Sequence, residues 1–189
     1  MALGNGKKRR AVFLDRDGTI AEEVGYLNHL SRFHLFPFAA EAIRRLNQAG
    51  FAVIVVTNQS GVTRGFFPEE LIAQVHERMV AELAAGGARV DGIYYCPHHS
   101  GYDCSCRKPR PGLVERAAEE HGLGFEGSFF VSDRYADVQM GQSIGCQGIL
   151  VLSGYGRGEY EWNREKWPRP PDAVVEDLLA ATEVILRRP

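Results

Sequence analysis

An α/β fold on a mostly parallel sheet is what the sequence predicts, and two observations carry the prediction. Five short apolar runs recur along the chain: "AVFL" (11–14), "FAVIVV" (51–56), "GIYY" (92–95), "SFFV" (128–131) and "GILVL" (148–152). Rich in β-branched and aromatic residues and unbroken by charge, they suit strands covered on both faces. Between them stand stretches with apolar residues at helical spacing, and strands that alternate with helices imply βαβ units.

Taken in order, the strand at 11–14 follows the basic run Lys7-Lys8-Arg9-Arg10. That run reads as the end of a solvated tail over residues 1–10, with anion binding as the alternative. In "EAIRRLNQAG" (41–50) Ala42, Ile43, Leu46 and Ala49 share one helical face, and Gly50 suits the position just past a helix end. The stretch "PEELIAQVHERMVAELAAGG" (68–87) opens on Pro68 with acids in its first turn and sets Leu71, Ile72, Val75, Met79 and Leu83 on one stripe. "PGLVERAAEEHG" (111–122) is a third helix, opened by Pro111 and closed by Gly122. The polar, Gly- and Pro-rich "GYGRGEYEWNREKWPRPPD" (154–172) reads as a surface excursion. The last helix is expected in "PDAVVEDLLAATEVILRR", capped by Asp172 and ending on arginines that suit its C-terminal dipole. His76 and Cys146 read as packing residues.

With 189 residues the chain fits one domain, 1–189, able to bury a core. A net charge of −2 gives no reason to expect nucleic acid or an anionic membrane as partner. No apolar stretch approaches the ~20 residues of a membrane span, and the apolar run after the N-terminal basic residues is too short for a signal peptide. A cytoplasmic monomer acting on a small molecule is the expectation.

Chemistry is expected where strands end, because ligands of open α/β sheets collect outside the carboxyl ends of the strands. The first strand ends in Asp15-Arg16-Asp17, the second in Thr57-Asn58-Gln59-Ser60-Gly61 and the fourth in Ser132-Asp133. Asp15 and Asp17 alternate to the same side of an extended chain, and Gly18 lets the chain turn away and leaves room for a ligand. Two adjacent carboxylates can divide labour: Asp15 attacks as nucleophile and Asp17 moves the proton. Aspartate attacks phosphorus to give an aspartyl-phosphate. So many acids need a hard cation, and Mg²⁺ suits carboxylate and phosphate oxygens, with Asp133 as a third contributor. Lys108, in "CRKPRPG", is the candidate for fixed positive charge around the phosphoryl oxygens, with Thr57 and Asn58 as hydrogen-bond donors.

These residues together resemble the haloacid dehalogenase (HAD) superfamily of phosphotransferases. "DRDGT" matches its first motif, "VVTN" its second, "RKP" its third and "SDRYAD" its fourth, in the family's order. Within it, "FLDRDGTI", "GYL", "TNQSGVTRG" and "CPHH…CSCRKPRPG" resemble the group of sugar-bisphosphate and histidinol phosphatases. The resemblance implies a three-layer α/β/α fold with strand order 5-4-1-2-3 and no large cap domain. It also implies an Mg²⁺-dependent phosphatase acting on a small sugar phosphate. Asp15 is then the nucleophile and Asp17 the acid/base. Thr57 and Lys108 would stabilise the phosphoryl group, and Asp15, Asp17 (through its main-chain carbonyl) and Asp133 would hold Mg²⁺. Glu23, Val24, Gly25, Tyr26, Thr57, Asn58, Gln59 and Ser60 would line the sugar site, with Arg107, Lys108 and Arg134 as further substrate contacts. Three features depart from the family pattern: Ser132 stands where glycine is usual, Arg134 where lysine is usual, and the loop from His98 to Cys104 is short. All three bear on specificity.

Cys96, His98, Cys104 and Cys106 offer three thiolates and one imidazole, the donor set of a structural, four-coordinate Zn²⁺. His99 is an alternative to His98, and a disulfide is the competing use of the thiols. The zinc loop, 96–106, runs straight into Arg107 and Lys108. Rival readings of the whole chain are a histidinol-phosphate or other phosphomonoesterase, a DNA 3′-phosphatase, and a phospho-acceptor module. A module that keeps its phosphoryl group has no use for the second carboxylate of Asp17.

Overall fold

The computed structural model describes residues 8–188. Its frame is one sheet of six strands: β1 (Arg9–Leu14), β2 (Ala52–Asn58), β3 (Gly92–Cys96), β4 (Leu123–Ser132), β5 (Gln147–Val151) and β6 (Ala173–Val175). Their order is β3-β2-β1-β4-β5-β6, and every neighbouring pair is parallel. Six α-helices accompany them: α1 (Ala39–Gln48), α2 (Glu70–Ala85), α3 (Gly112–His121), α4 (Tyr135–Ser143), α5 (Gly156–Asn163) and α6 (Leu178–Arg187).

Strand alternation sorts the apolar residues into two layers. Val12, Leu14, Val53, Val55, Phe129 and Val131 pack with Ile43 and Leu46 of α1, Val75 and Met79 of α2, and Ile185 of α6. Their neighbours Ala11, Phe13, Ala52, Ile54, Val56 and Phe130 face the other way, onto Leu113, Val114 and Ala117 of α3 and Met140 of α4. Both faces of the central strands are therefore buried, as the unbroken apolar runs require. The spans between strands hold helices and loops, and none among the described residues is long enough to form a second domain.

Five expectations change. The tail expected over residues 1–10 lies outside the described residues up to residue 7, but Arg9 and Arg10 belong to β1. Arg9 is held there by Asp91 (3.2 Å) and by the carbonyls of Gly50 and Phe51. β4 begins five residues earlier than the apolar run, at Leu123. Its register against β1 jumps between Arg10 and Val12, and the Ser128 hydroxyl fills the gap by accepting the Ala11 N–H at 2.8 Å. Expected order 5-4-1-2-3 is present, extended by β6 at the edge. Finally, Asp172 caps no helix: its carboxylate accepts from the Gly148 N–H and from Gln142, which ties β6 to β5. The helix starts later, where Asp177 accepts the Ala180 N–H at 2.9 Å. "AVV" is too short to show an alternation, and its apolar residues merge with those of the helix behind it. The excursion at 154–172 also contains α5.

Candidate active site

β1, β2 and β4 end side by side, and their last residues converge. Asp15 follows β1, its N–H donating to the Val131 carbonyl of β4 at 3.0 Å. Its carboxylate is 3.0 Å from the ammonium of Lys108, which also reaches Asp137 at 2.6 Å. All three are buried. Burial pushes the Asp15 carboxyl well above its ordinary range, with Asp137 and Asp17 adding to the rise and Lys108 opposing it. Burial alone would push Lys108 down, yet the Asp137 and Asp15 charges outweigh it and leave the ammonium raised. Lys108 is thus a fixed positive charge between two carboxylates. Asn58 sets its place: the side-chain amide donates to the Lys108 carbonyl and accepts the Lys108 N–H, both at 3.1 Å.

Asp133, just past β4, has one carboxylate oxygen bonded to the Tyr155 N–H (2.8 Å) and one buried oxygen with no partner. Burial and the charge of Asp15 raise it to about 8. Two glycines crowd it. A Cβ at Gly18 (φ +78°) would lie 2.1 Å from the Asp133 carboxylate, and one at Gly154 (φ +56°) 2.2 Å away, so neither position accepts a larger residue. A partnerless buried carboxylate oxygen beside a second buried acid is a donor set that fits a hard divalent cation.

Asp17 has company that the sequence reading did not anticipate. The Arg16 guanidinium grips both its oxygens (2.9 and 2.8 Å from one nitrogen, 3.1 Å from Nε), and Gln59 donates to it at 2.9 Å. Arg16 is only 1% exposed, and its remaining terminal nitrogen meets His76 Nε2 at 3.3 Å. Burial and the Arg16 charge push the His76 imidazole down to about 4. The ring is therefore neutral and accepts from Arg16. His76 is a structural partner, in keeping with its packing role. The fork orients the acid/base candidate rather than leaving it free at the turn.

Above these groups opens a cavity of about 290 Å³, lined by Asp17, Glu23, Gly25, Tyr26, Asn58, Gln59, Ser60, Arg134 and Tyr155 among others. The expected sugar-site residues are thus largely brought together. Val24 is not among them: its carbonyl takes the Arg32 side chain, which also binds the Tyr26 carbonyl and Asn28 and so staples the rim. Thr57 and Lys108 are buried with Asp15 rather than on the cavity wall. Arg107 also stays off the wall, donating to the His98 carbonyl at 2.8 Å.

Cys96, His98, Cys104 and Cys106 each offer a ligand atom, all within 4.8 Å of one another. Tetrahedral coordination at a zinc–sulfur distance of about 2.3 Å separates two sulfurs by about 3.8 Å; Cys96 and Cys104 stand 3.8 Å apart, whereas Cys106 is closer to Cys96, at 2.8 Å. None of the four cysteines is in a disulfide. His99 lies outside the cluster, its Nδ1 accepting the Gly101 N–H. Burial and the neighbouring Cys106 thiol push Cys96 up to about 12, whereas at Cys104 burial is outweighed by hydrogen bonds from Cys106 and the Arg107 backbone, which bring it down to about 7, so a cation would have to displace the Cys96 proton to bind there.

Residues missed in the sequence are Arg16, Asp137 and Tyr155. Asp137 carried a signal, being four residues after Asp133 in "SDRYAD" and so one helical turn along. Ser132, a departure from the family pattern, supports it: its hydroxyl donates to Asp137 at 3.1 Å and accepts the Arg134 N–H.

Comparison with known proteins shows the family. A D-glycero-D-manno-heptose-1,7-bisphosphate 7-phosphatase of Thermosynechococcus vestitus is 38% identical over 94% of this chain and 95% of its own. The chain belongs to the heptose-bisphosphate phosphatase family. A D-glycero-beta-D-manno-heptose-1,7-bisphosphate 7-phosphatase of Pseudomonas aeruginosa is likewise 38% identical, over 92% of this chain and 95% of its own. The Hydrolase_like family model, described as HAD-hydrolase-like, matches residues 105–181. Among solved structures, D,D-heptose 1,7-bisphosphate phosphatase from B. bronchiseptica, complexed with magnesium and phosphate, superposes with a TM-score of 0.85. It has 33% identity and covers 94% of this chain and 98% of its own. The three-layer HAD-like fold is thereby shared with a family of phosphatases.

Proposed function

We propose that this chain hydrolyses the 7-phosphate of D-glycero-D-manno-heptose 1,7-bisphosphate, leaving heptose 1-phosphate and inorganic phosphate. The observation that carries the reading is the buried convergence of Asp15, Lys108 and Asp133 at neighbouring strand ends, below a cavity lined by Asp17. The names and coverage of the relatives support the substrate.

Asp15 would attack phosphorus while the bond from phosphorus to the sugar oxygen breaks. Asp17 delivers its proton to that departing oxygen, and an aspartyl-phosphate remains. Asp17 then takes a proton from water, whose oxygen attacks phosphorus and releases Asp15. Lys108 balances charge on the phosphoryl oxygens. Thr57, whose hydroxyl accepts from Gln59 at 2.9 Å, keeps its own proton for the same oxygens. Asp15, Asp133 and the main-chain carbonyl of Asp17 would hold Mg²⁺, which supplies charge neutralisation and orientation of the phosphate when bound. Arg134 is the cation placed for the second phosphate. Structural Zn²⁺ on Cys96, His98, Cys104 and Cys106 would fold the loop that leads into Lys108. All four of its ligands are protein groups, so it leaves no open position for chemistry. No helix among the described residues is long and apolar enough to cross a membrane.

The test is phosphate release from both anomers of heptose 1,7-bisphosphate, histidinol phosphate and a 3′-phosphorylated DNA, with and without Mg²⁺. Preference for a heptose bisphosphate supports the proposal. Faster turnover of histidinol phosphate or DNA would replace the substrate, and turnover that ignores Mg²⁺ would remove the metal.

A further inference from the structure

The cavity wall has an uneven charge that a bisphosphate must face. Asp17 and Glu23 are acids, and Arg134 is the one cation among the lining residues. Lys108 lies buried with Asp15, where the function proposed above assigns it to the transferring phosphoryl group. A second phosphate entering the cavity therefore meets two acids, neutral groups and a single cation, Arg134.

Arg134 is nearly half exposed, but it is held on two sides. Its Nε pairs with Glu159 at 2.8 Å, and its guanidinium lies over the Tyr155 ring, 4.7 Å from the centroid. Neither terminal nitrogen donates a hydrogen bond to any described residue. Glu159 is itself held, since its other oxygen accepts the Tyr135 N–H at the start of α4, at 2.6 Å. Tyr155 is anchored through its N–H to Asp133. Tyr155 caps the start of α5 and Glu159 lies in its first turn, inside the segment that reads from sequence as a mere excursion. A guanidinium fixed along one edge and one face keeps its outer pair of N–H groups for a phosphate, which a lysine at this position cannot do. Immobilising it beforehand also removes an entropy cost from binding.

We propose that Glu159 and Tyr155 are positioning residues that preset Arg134 as a rigid fork for the sugar's second phosphate, so that α5 contributes the preference for bisphosphates. The inference rests on the substrate class proposed above. Its test compares heptose 1,7-bisphosphate with p-nitrophenyl phosphate, which has no second phosphate, in Tyr155→Ala, Tyr155→Phe, Glu159→Ala, Arg134→Ala and the Glu159→Ala/Arg134→Ala double variant. For Tyr155→Ala and Glu159→Ala, KM for the bisphosphate should rise about tenfold, the value of one hydrogen bond to a charged group, with kcat nearly kept. kcat/KM for p-nitrophenyl phosphate should fall much less. Tyr155→Phe, which keeps the ring, should retain the KM, and Glu159→Ala should add no further loss once Arg134 is gone. Equal losses on both substrates, or additive losses in the double variant, would overturn the proposal. If the wild-type protein itself shows no preference for the bisphosphate, the substrate assignment is what fails, and this inference falls with it.

Discussion

Asp15 and Asp17 are two residues apart, yet their surroundings differ in kind. Asp15 is buried against an ammonium and a second acid, whereas Asp17 is held by a buried guanidinium fork and an amide. The roles proposed for them, nucleophile and proton carrier, need this difference, because one would stay in place at phosphorus while the other served first the leaving group and then water. Asp15→Asn should lower kcat by on the order of 10⁵-fold with the fold retained. A variant that still turns over at a comparable rate would rule out the covalent route. His76 permits a separate measurement. Its folded-state pKa of about 4 lies below the ordinary 6.5, so the stability tied to its neutral ring is present above pH 6.5 and lost as the pH falls toward 4. His76→Gln keeps an acceptor for Arg16 but cannot titrate. Thermal melts between pH 4 and 7 should show the wild type losing more Tm than this variant on the acid side. Parallel curves would mean that the imidazole does not face Arg16 in solution.

The loop from Cys96 to Cys106 connects the end of β3 to the segment that carries Lys108. Its carbonyl at Cys104 and its carboxylate at Asp103 take the Arg110 side chain, and the His98 carbonyl takes Arg107. The loop is thus stitched to the residues on either side of Lys108, and metal at its centre would brace them. Cys104→Ser should release about one equivalent of zinc and cost roughly 2–4 kcal/mol of stability. Metal analysis of the native protein and a melt of the variant check both halves, and a native protein free of zinc would reassign the cluster. α5 is the other element whose role exceeds its appearance. Too short and polar to be recognised as a helix in "GYGRGEYEWNREKW", it follows Tyr155, which lines the cavity, and carries Glu159, which pairs with Arg134. Helical spacing identifies a helix that buries a stripe of apolar residues, and among its residues α5 buries only Gly156.

Buried acids at the ends of β1 and β4 couple the stability of the entire domain to the cation. Asp15 and Asp133 both carry pKa values raised by burial above the ordinary carboxylate range, Asp133 to about 8. Stability linked to their protonated forms is complete below about pH 4 and lost as the pH rises through the folded-state values. Mg²⁺ binds the ionised forms and should recover that loss, since a ligand of the folded state stabilises it by mass action. The gain in Tm on adding Mg²⁺ should therefore be larger at pH 8 than at pH 6. A gain independent of pH would separate the cation from these two carboxylates.

Much of this architecture was legible from the chain. Apolar runs revealed five strands because both faces of the sheet are covered, so burial wrote itself into consecutive residues. Asp15, Asp17, Asp133, Lys108 and the Cys/His cluster were legible because each sits at the end of a strand or in a compact motif. β6 escaped because three residues at a sheet edge, beside a helix of like composition, leave no pattern of their own. The partnerships of the site escaped for a different reason. Arg16 with His76, Lys108 with Asp137, and Arg134 with Tyr155 and Glu159 pair residues up to 60 positions apart. Local sequence specifies which groups a turn presents. Which charges meet one another is decided only when parallel strands bring distant turns to one edge, where each group's neighbours and its exclusion from water set its chemistry.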